Sequence, residues 1–268
     1  MLEHTADLGS EVAPVLGALV EQAFADGSRR VELRCSLEDV ERARAALGAG
    51  MRYEGITREP ETLGRAVFSR LSHDVGTPIP PCFPELQAGG LSDGVVRLRV
   101  THPEDARALY EEQANPEAKR FALVEPLTEW DIAEKAVRAR MEWLTGPQGL
   151  MTIVDAATGQ PAGKLALRSV VPPKVADVGY GVLPAYRGRG FAARALKLAT
   201  TWALRGAGYS RLELGVKPEN QASLAVALAA GYLPDGVRSN RLRNLDGTFS
   251  DEIHFAATES ALNLVTYA

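Results

Sequence analysis

Two stretches of this chain repeat one succession of patterns, and such a repeat limits the fold more than composition does, because both copies must be built from the same supersecondary unit. Ala6 to Pro14 reads ADLGSEVAP and Ala176 to Pro184 reads ADVGYGVLP, each a strand-like alternation closed by proline. A helical segment ending in glycine follows each, Val15 to Gly27 in the first copy and Ala192 to Gly208 in the second. A strand comes next, RRVELRC or SRLELGV, and then a second helix pattern, SLEDVERARAALGAGM against KPENQASLAVALAAGY. The copies differ at one place. About ten residues, AYRGRGFAAR (Ala185 to Arg194), lie between proline and helix body in the second copy and are missing from the first.

The first copy begins at its strand, whereas about ninety residues of further strand and helix patterns precede the second. Residues 1–74 are therefore read as a degenerate half domain and residues 93–268 as a complete one. Val75 to Gly94 is rich in proline and glycine, which oppose regular structure, and this places a linker at residues 75–92. In the complete domain the patterns predict a strand at 95–100, helices at 104–113 and 129–144, strands at 150–156 and 162–171, the repeated portion, and a final strand near Glu252 to Ala256. This is α/β, a mixed sheet with helices on its faces. No strand leads into a GxGxxG with a following acidic residue, so a dinucleotide-binding sheet is not expected.

A chain of 268 residues with 30 Lys and Arg against 34 Asp and Glu carries a net charge of −4, too little positive field to gather a phosphate backbone. Nucleic acid is not an expected partner. No window approaches the roughly 18 uninterrupted apolar residues of a membrane span and no signal segment opens the chain, so the expected setting is cytoplasmic, with no membrane partner. Cys35 and Cys82 stand far apart without a CxxC or a histidine cluster, which gives neither a disulfide framework nor a metal site.

The ten-residue loop carries the chemistry. Arg187, Gly188, Arg189, Gly190, Phe191 and Ala192 sit where a strand ends and a helix begins, where glycines let several backbone N–H groups face a single anion. The helix dipole and two guanidinium groups add to the attraction, so the turn suits a pyrophosphate. Strand, proline, YRGRGFA, helix, LEL strand and PENQAS helix together resemble the GNAT superfamily of N-acetyltransferases, most closely its RimJ/RimL-like branch. Its signature, Arg or Gln, two residues, Gly, one residue, Gly or Ala, is met by Arg187, Gly190 and Ala192. The resemblance covers about residues 93–260, and the repeat extends it partially to residues 5–74.

The resemblance implies a mostly antiparallel sheet, preceded here by an incomplete copy of the same fold, and acetyl-CoA as cosubstrate with no metal. It implies that the strand end at Val182 and Leu183 splays from its neighbour and offers backbone groups to the pantetheine arm. One N–H there, assigned to Leu183, would stabilise the oxyanion. Asp177 falls where some members place a water-linked glutamate base, although an aspartate on a strand can equally face solvent. Asn220 and Ser223 match an Asn-x-x-Ser pattern beside the coenzyme, and Asn220 after Pro-Glu is also a good helix N-cap. Many members protonate the departing thiolate with a tyrosine seven residues after this asparagine. Here that position is Ala227, which leaves Ser223, a water or, less well placed, Tyr232. His254 and the three tryptophans read as packing residues, with contact to the acceptor amine as the alternative for the histidine and a substrate lid for the tryptophans.

The expected activity is transfer of an acetyl group to a primary amine, of a small molecule or a protein amino terminus; the rival is a non-catalytic acyl-CoA-binding sensor or assembly subunit. No acidic cluster stands out that would mark a polycationic acceptor. The first copy lacks the loop and has Asp39 and Arg42 where the second has Asn220 and Ser223, so it should bind no coenzyme. Its apolar strands need covering, which points to support of the full domain, shaping of the acceptor cleft, or a homodimer contact.

Overall fold

The computed structural model describes residues 12–60, 62–86 and 89–260. By its internal contacts the chain forms two units: the residues up to Phe83 together with Arg140–Gly146, and Pro84–Ala139 together with the residues from Pro147 onward. The first unit runs α1 (Val12–Ala25), β1 (Arg30–Ser36), α2 (Val40–Gly48), β2 (Arg52–Ile56) and β3 (Arg65–Leu71). Its strands form an antiparallel sheet in the order β1-β3-β2. Alanines make α2 a tight-packing helix, with Ala43, Ala46 and Leu47 buried alongside Met51, Ala66 and Phe68. The backbone of the proline-rich stretch is held as well, since Cys82 N–H donates to Leu144 O at 2.8 Å and Phe83 N–H to Trp143 O at 3.1 Å. The Phe83 and Trp143 rings lie 5.0 Å apart.

One expectation for this unit fails. Val12, Ala13 and Pro14, read as the end of a strand, form the first turn of α1, and residues 6–11 lie outside the described residues. Proline lacks only an N–H that a helix start leaves unbonded anyway, so it opens a helix as readily as it closes a strand.

The second unit begins with β4 (Leu91–Ser92) and β5 (Val96–Val100), followed by α3 (Ala106–Ala114), α4 (Pro116–Phe121) and α5 (Glu129–Thr145), which counts with the first unit from Arg140 on. Then come β6 (Gln148–Asp155), β7 (Pro161–Val170), β8 (Val175–Val182), α6 (Phe191–Arg205), β9 (Arg211–Val216), α7 (Gln221–Ala229), β10 (Leu233–Arg243) and β11 (Phe249–Ala257). The sheet order is β10-β11-β9-β8-β7-β6-β5-β4, antiparallel throughout except for β8 with β9. Central β6 is buried almost end to end, as a strand covered on both faces must be. α6 buries Phe191, Ala195, Leu196, Ala199 and Ala203, a stripe at helical spacing. Asp105 is fully buried at the entry to α3, taking two hydrogen bonds from Arg99 at 2.7 and 2.8 Å and one from Thr152 at 2.8 Å. Among the described residues no helix is long and apolar enough to cross a membrane.

Several elements were not expected, among them β2, β3 and β4, the last within the stretch read as a linker. α4 starts because Asn115 caps it, accepting from Glu117 N and Ala118 N, with Pro116 at the first helical position. β10 joins β11 by a turn through Asp246-Gly247, a short hairpin signal. Trp143 is buried, whereas Trp130 is 64% exposed and lies outside the core.

Each unit taken alone shows the same connectivity. The succession α1-β1-α2-β2-β3 has its strands in the order β1-β3-β2, and α6-β9-α7-β10-β11 has them in the order β9-β11-β10. Their second helices share both ends. Asp39 accepts from Arg42 N at 3.1 Å as Asn220 accepts from Ser223 N at 3.1 Å. Gly50 and Gly231 then terminate the helices at φ of 72° and 88°, and the next residue donates back, Met51 to Ala46 O and Tyr232 to Ala227 O.

Candidate functional site

β8 and β9 lie in register only at Val175 with Arg211, Ala176 with Leu212 and Asp177 with Glu213. Beyond this β8 continues to Val182 beside β7 alone, and β9 continues to Val216 beside β11. The two central strands therefore part, and backbone groups of β8 on that side have no ladder partner. A cleft of about 790 Å³ opens at this gap, lined by Tyr180, Gly181 and Val182 of β8, by the turn and first residues of α6, by Asn220, Ser223 and Val226 of α7, and by Glu112 and α4 residues.

The expected oxyanion donor needs correcting. Leu183 N–H is bonded to Ala162 O of β7 at 2.8 Å. Successive amides in an antiparallel pair face alternately toward and away from the partner. With Leu183 turned toward β7, it is Val182 whose N–H faces the gap, and Leu183 does not line the cleft.

A short helical turn, Pro184–Tyr186, carries the chain from β8 into the loop. Gly188 and Gly190 adopt φ of 68° and 76°, and Gly190 caps α6 without a side chain. The first-turn N–H groups of α6, which have no acceptor in the helix, consequently face the cleft where Gly188, Gly190, Phe191, Ala192 and Ala193 line it. The Phe191 and Ala192 side chains are buried, so their contribution is backbone. Arg187 lines the cleft, its Nε donating to Val182 O at 3.3 Å and its guanidinium paired with Glu117 of α4. Arg189 departs from expectation: it stacks on Tyr186 and Phe191, 5.2 and 5.0 Å from the ring centres, and is not in the lining. Aromatic faces attract a guanidinium, and among the described residues the carboxylate paired with it is Asp155 at 4.0 Å.

Asn220 both caps α7 and lines the cleft. Ser223 Oγ lies 2.9 Å from the hydroxyl of Tyr180, which also donates to Ser223 O at 3.2 Å. Burial pushes the Tyr180 phenol above its ordinary range, against a smaller opposing effect of Ser223. Ala227 is fully buried, and Tyr232 shares a 2.8 Å hydrogen bond with Thr200 in the core. Neither lines the cleft.

Asp177 stands at the neck of the gap, three residues before Tyr180 and so on the other face of β8. It is outside the cleft lining and 3.3 Å from Arg168. Burial raises its pKa most, the Arg168 charge opposes this, and Glu252 and Glu213 reinforce it. His254 is buried with Nε2 3.0 Å from Arg238 and 3.6 Å from Glu213. Sequence reasoning missed Tyr180, Glu112 and Glu117. The buried Glu112 carboxylate pairs with Lys164 at 2.6 Å and lies where a Cβ on Gly181 would come within 2.0 Å of it. Glu117 could have been found from the Asn-Pro-Glu helix start, but Glu112 and Tyr180 have no local signal.

The family model described as Acetyltransferase (GNAT) domain matches residues 96–233. RimJ of Mycobacterium smegmatis, solved with CoA-disulfide, is 24% identical, with a TM-score of 0.56 over 70% of this chain and 97% of that one. Spermidine N-acetyltransferase from Vibrio cholerae, solved with CoA and spermine, is 18% identical, with a TM-score of 0.55 over 64% and 100%. Ribosomal-protein-S5-alanine acetyltransferase from Vibrio fischeri is 17% identical, with a TM-score of 0.55 over 61% and 92%. No curated protein sequence matches the chain.

Proposed function

The chain belongs to the GNAT family of acetyltransferases, and we propose that it transfers an acetyl group from acetyl-CoA to a primary amine. The observation that carries this reading is the juxtaposition, in one cleft, of an arginine and glycine turn at a bare helix N-terminus with the gap between β8 and β9. The first holds a pyrophosphate and the second admits an extended pantetheine chain. A sensor that only bound the coenzyme would have no use for the hydroxyl pair at Tyr180 and Ser223, so the catalytic reading is preferred.

In this reading Arg187 and the amides from Gly188 to Ala192 hold the pyrophosphate, with Arg189 shielding the turn from outside. Val182 N–H stabilises the charge on the thioester oxygen, Asn220 and Ser223 flank the thioester, and Asp177 takes the ammonium proton through water. The acceptor is a small-molecule amine or a protein amino terminus, since a spermidine and a ribosomal-protein acetyltransferase share the fold. Glu112 and Glu117 put carboxylates in the cleft, but Lys164 and Arg187 neutralise them, so a polycation is not singled out. A cytoplasmic setting and the absence of nucleic acid and membrane partners belong to the same reading. The first unit is an incomplete copy of the fold that binds no coenzyme, supported by the shared connectivity and helix ends; residues 75–92 link it to the transferase domain, and a homodimer contact is among its roles.

Calorimetric titration of acetyl-CoA, followed by thiol release with a panel of amines, tests the reading; absence of binding would overturn it. Arg187→Ala should weaken binding about tenfold, the loss of one charge-assisted contact. Asp177→Asn should lower kcat/KM by roughly 100-fold with little change in acetyl-CoA affinity. Because the carboxyl is raised, the wild-type rate falls as pH drops through a value above the ordinary aspartate range of about 4. The acidic limb should vanish in Asp177→Asn, and a limb that persists unchanged would assign the base elsewhere.

A further inference from the structure

The thiolate that leaves acetyl-CoA needs a proton, and the cleft offers few hydroxyls to supply one. Ala227 has none, and the Tyr232 hydroxyl is held by Thr200 in the core. The third, on Tyr186, belongs to a ring packed against Phe191 5.0 Å away and under Arg189. There remain Tyr180 and Ser223, from opposite walls of the gap, joined oxygen to oxygen at 2.9 Å. A serine hydroxyl alone is a weak acid. A phenol, with an ordinary pKa of about 10 against about 8.5 for a thiol, is a far better match to the sulfur. We propose that Tyr180 is the proton source for the departing thiolate and that Ser223 delivers the proton, an inference that rests on the acetyl-transfer reading.

The amine nitrogen forms a bond to the acyl carbon, and the carbon–sulfur bond breaks with its electron pair going to sulfur. The Ser223 hydroxyl proton moves to sulfur as the Tyr180 proton moves to Ser223 Oγ. The proton that the attacking free amine gives up, taken by Asp177 through water, is passed on through water to restore the phenol, so no proton is gained or lost overall. Tyr180 thus acts through Ser223 and positions as well as recharges it, its single proton, which reaches both Ser223 O and Oγ, turning to Oγ as the serine gives its own proton up.

The surroundings keep the phenol protonated between turnovers. Burial holds its proton on at neutral pH. α7 presents no charged side chain to the cleft, and the β7 residue opposite Tyr180 is Leu165. The ionisable neighbours are Tyr232, which feels the Tyr180 charge, and Glu112, Glu117 and Arg187 along the same cleft. Asp177 lies on the other face of β8.

The test measures kcat, KM and acetyl-CoA affinity for the full chain carrying Tyr180→Phe, Ser223→Ala or both, and the pH profile of a chain with 3-fluorotyrosine at position 180. Tyr180→Phe should lower kcat about 100-fold while acetyl-CoA affinity changes less than about threefold. The double variant should be little worse than either single one, because the two hydroxyls work as a unit. The more acidic fluorophenol should move the alkaline limb of kcat downward, which a purely structural tyrosine would not do. If the unaltered chain fails to bind acetyl-CoA or to turn over, the transfer reading falls and this proposal with it. Wild-type turnover combined with an undiminished Tyr180→Phe, or with a fluorotyrosine profile that does not move, overturns this proposal alone.

Discussion

Gly190→Glu should abolish measurable acetyl-CoA binding, with affinity falling at least about 100-fold, while the protein stays folded. Nothing lies within 4 Å of a Cβ built at this position, so a side chain starts from open space. It collides instead with the ligand's chemistry. The carboxylate enters the anion site formed by the α6 amides, where like charge replaces attraction, and it occupies space the phosphates need. The left-handed backbone at φ 76° adds a strain of about 1–2 kcal/mol for a residue with a side chain. Circular dichroism should therefore show native helix content with a modestly lower Tm, and calorimetry should show no heat of binding. Retained affinity would mean that the pyrophosphate does not sit on this turn.

Asp105→Ala should be the most damaging change to stability away from the cleft, lowering it by about 2–4 kcal/mol. Asp105 is fully buried and accepts from Arg99, His102 N and Thr152, so its removal takes from the guanidinium its two shortest bonds and leaves it Glu104 at 3.8 Å and Val100 O at 3.4 Å. Thr152 would keep only its 3.0 Å partner Thr101. Arg99 is partly exposed, and its recovery of water sets the upper limit. Urea unfolding of the variant against the wild type measures the loss; a change below about 0.5 kcal/mol would show that the network contributes nothing net. Since this cluster fixes the entry to α3, which carries Glu112, acetyl-CoA affinity should hold while acceptor KM rises.

How the two similar successions of elements were legible follows from which residues mark them. Glycine at a left-handed helix end and Asx at a helix start are local requirements, so Gly50 and Gly231, Asp39 and Asn220 announced matching helices in the sequence. The same reasoning misled at Pro14, because a proline satisfies a helix start and a strand end alike. The β10–β11 hairpin and α4 carried turn and capping signals, Asp246-Gly247 and Asn115-Pro116, that the periodicity of the intervening residues did not amplify.

The site divides along the same line. The glycine turn before α6 was determined by the sequence, because the left-handed backbone at positions 188 and 190 favours glycine wherever it occurs. Asn220 was legible for the same reason, its cap spanning three residues. Only the tertiary structure decided which amide faces the gap: the register of β8 on β7 turns Leu183 inward and Val182 outward, and register is a property of two strands, not one. Only it could place the Tyr180 hydroxyl against Ser223, 43 residues apart in sequence, or bring Glu112 across Gly181. Contacts between distant segments depend on how the sheet and helices pack, and no spacing along the chain encodes them.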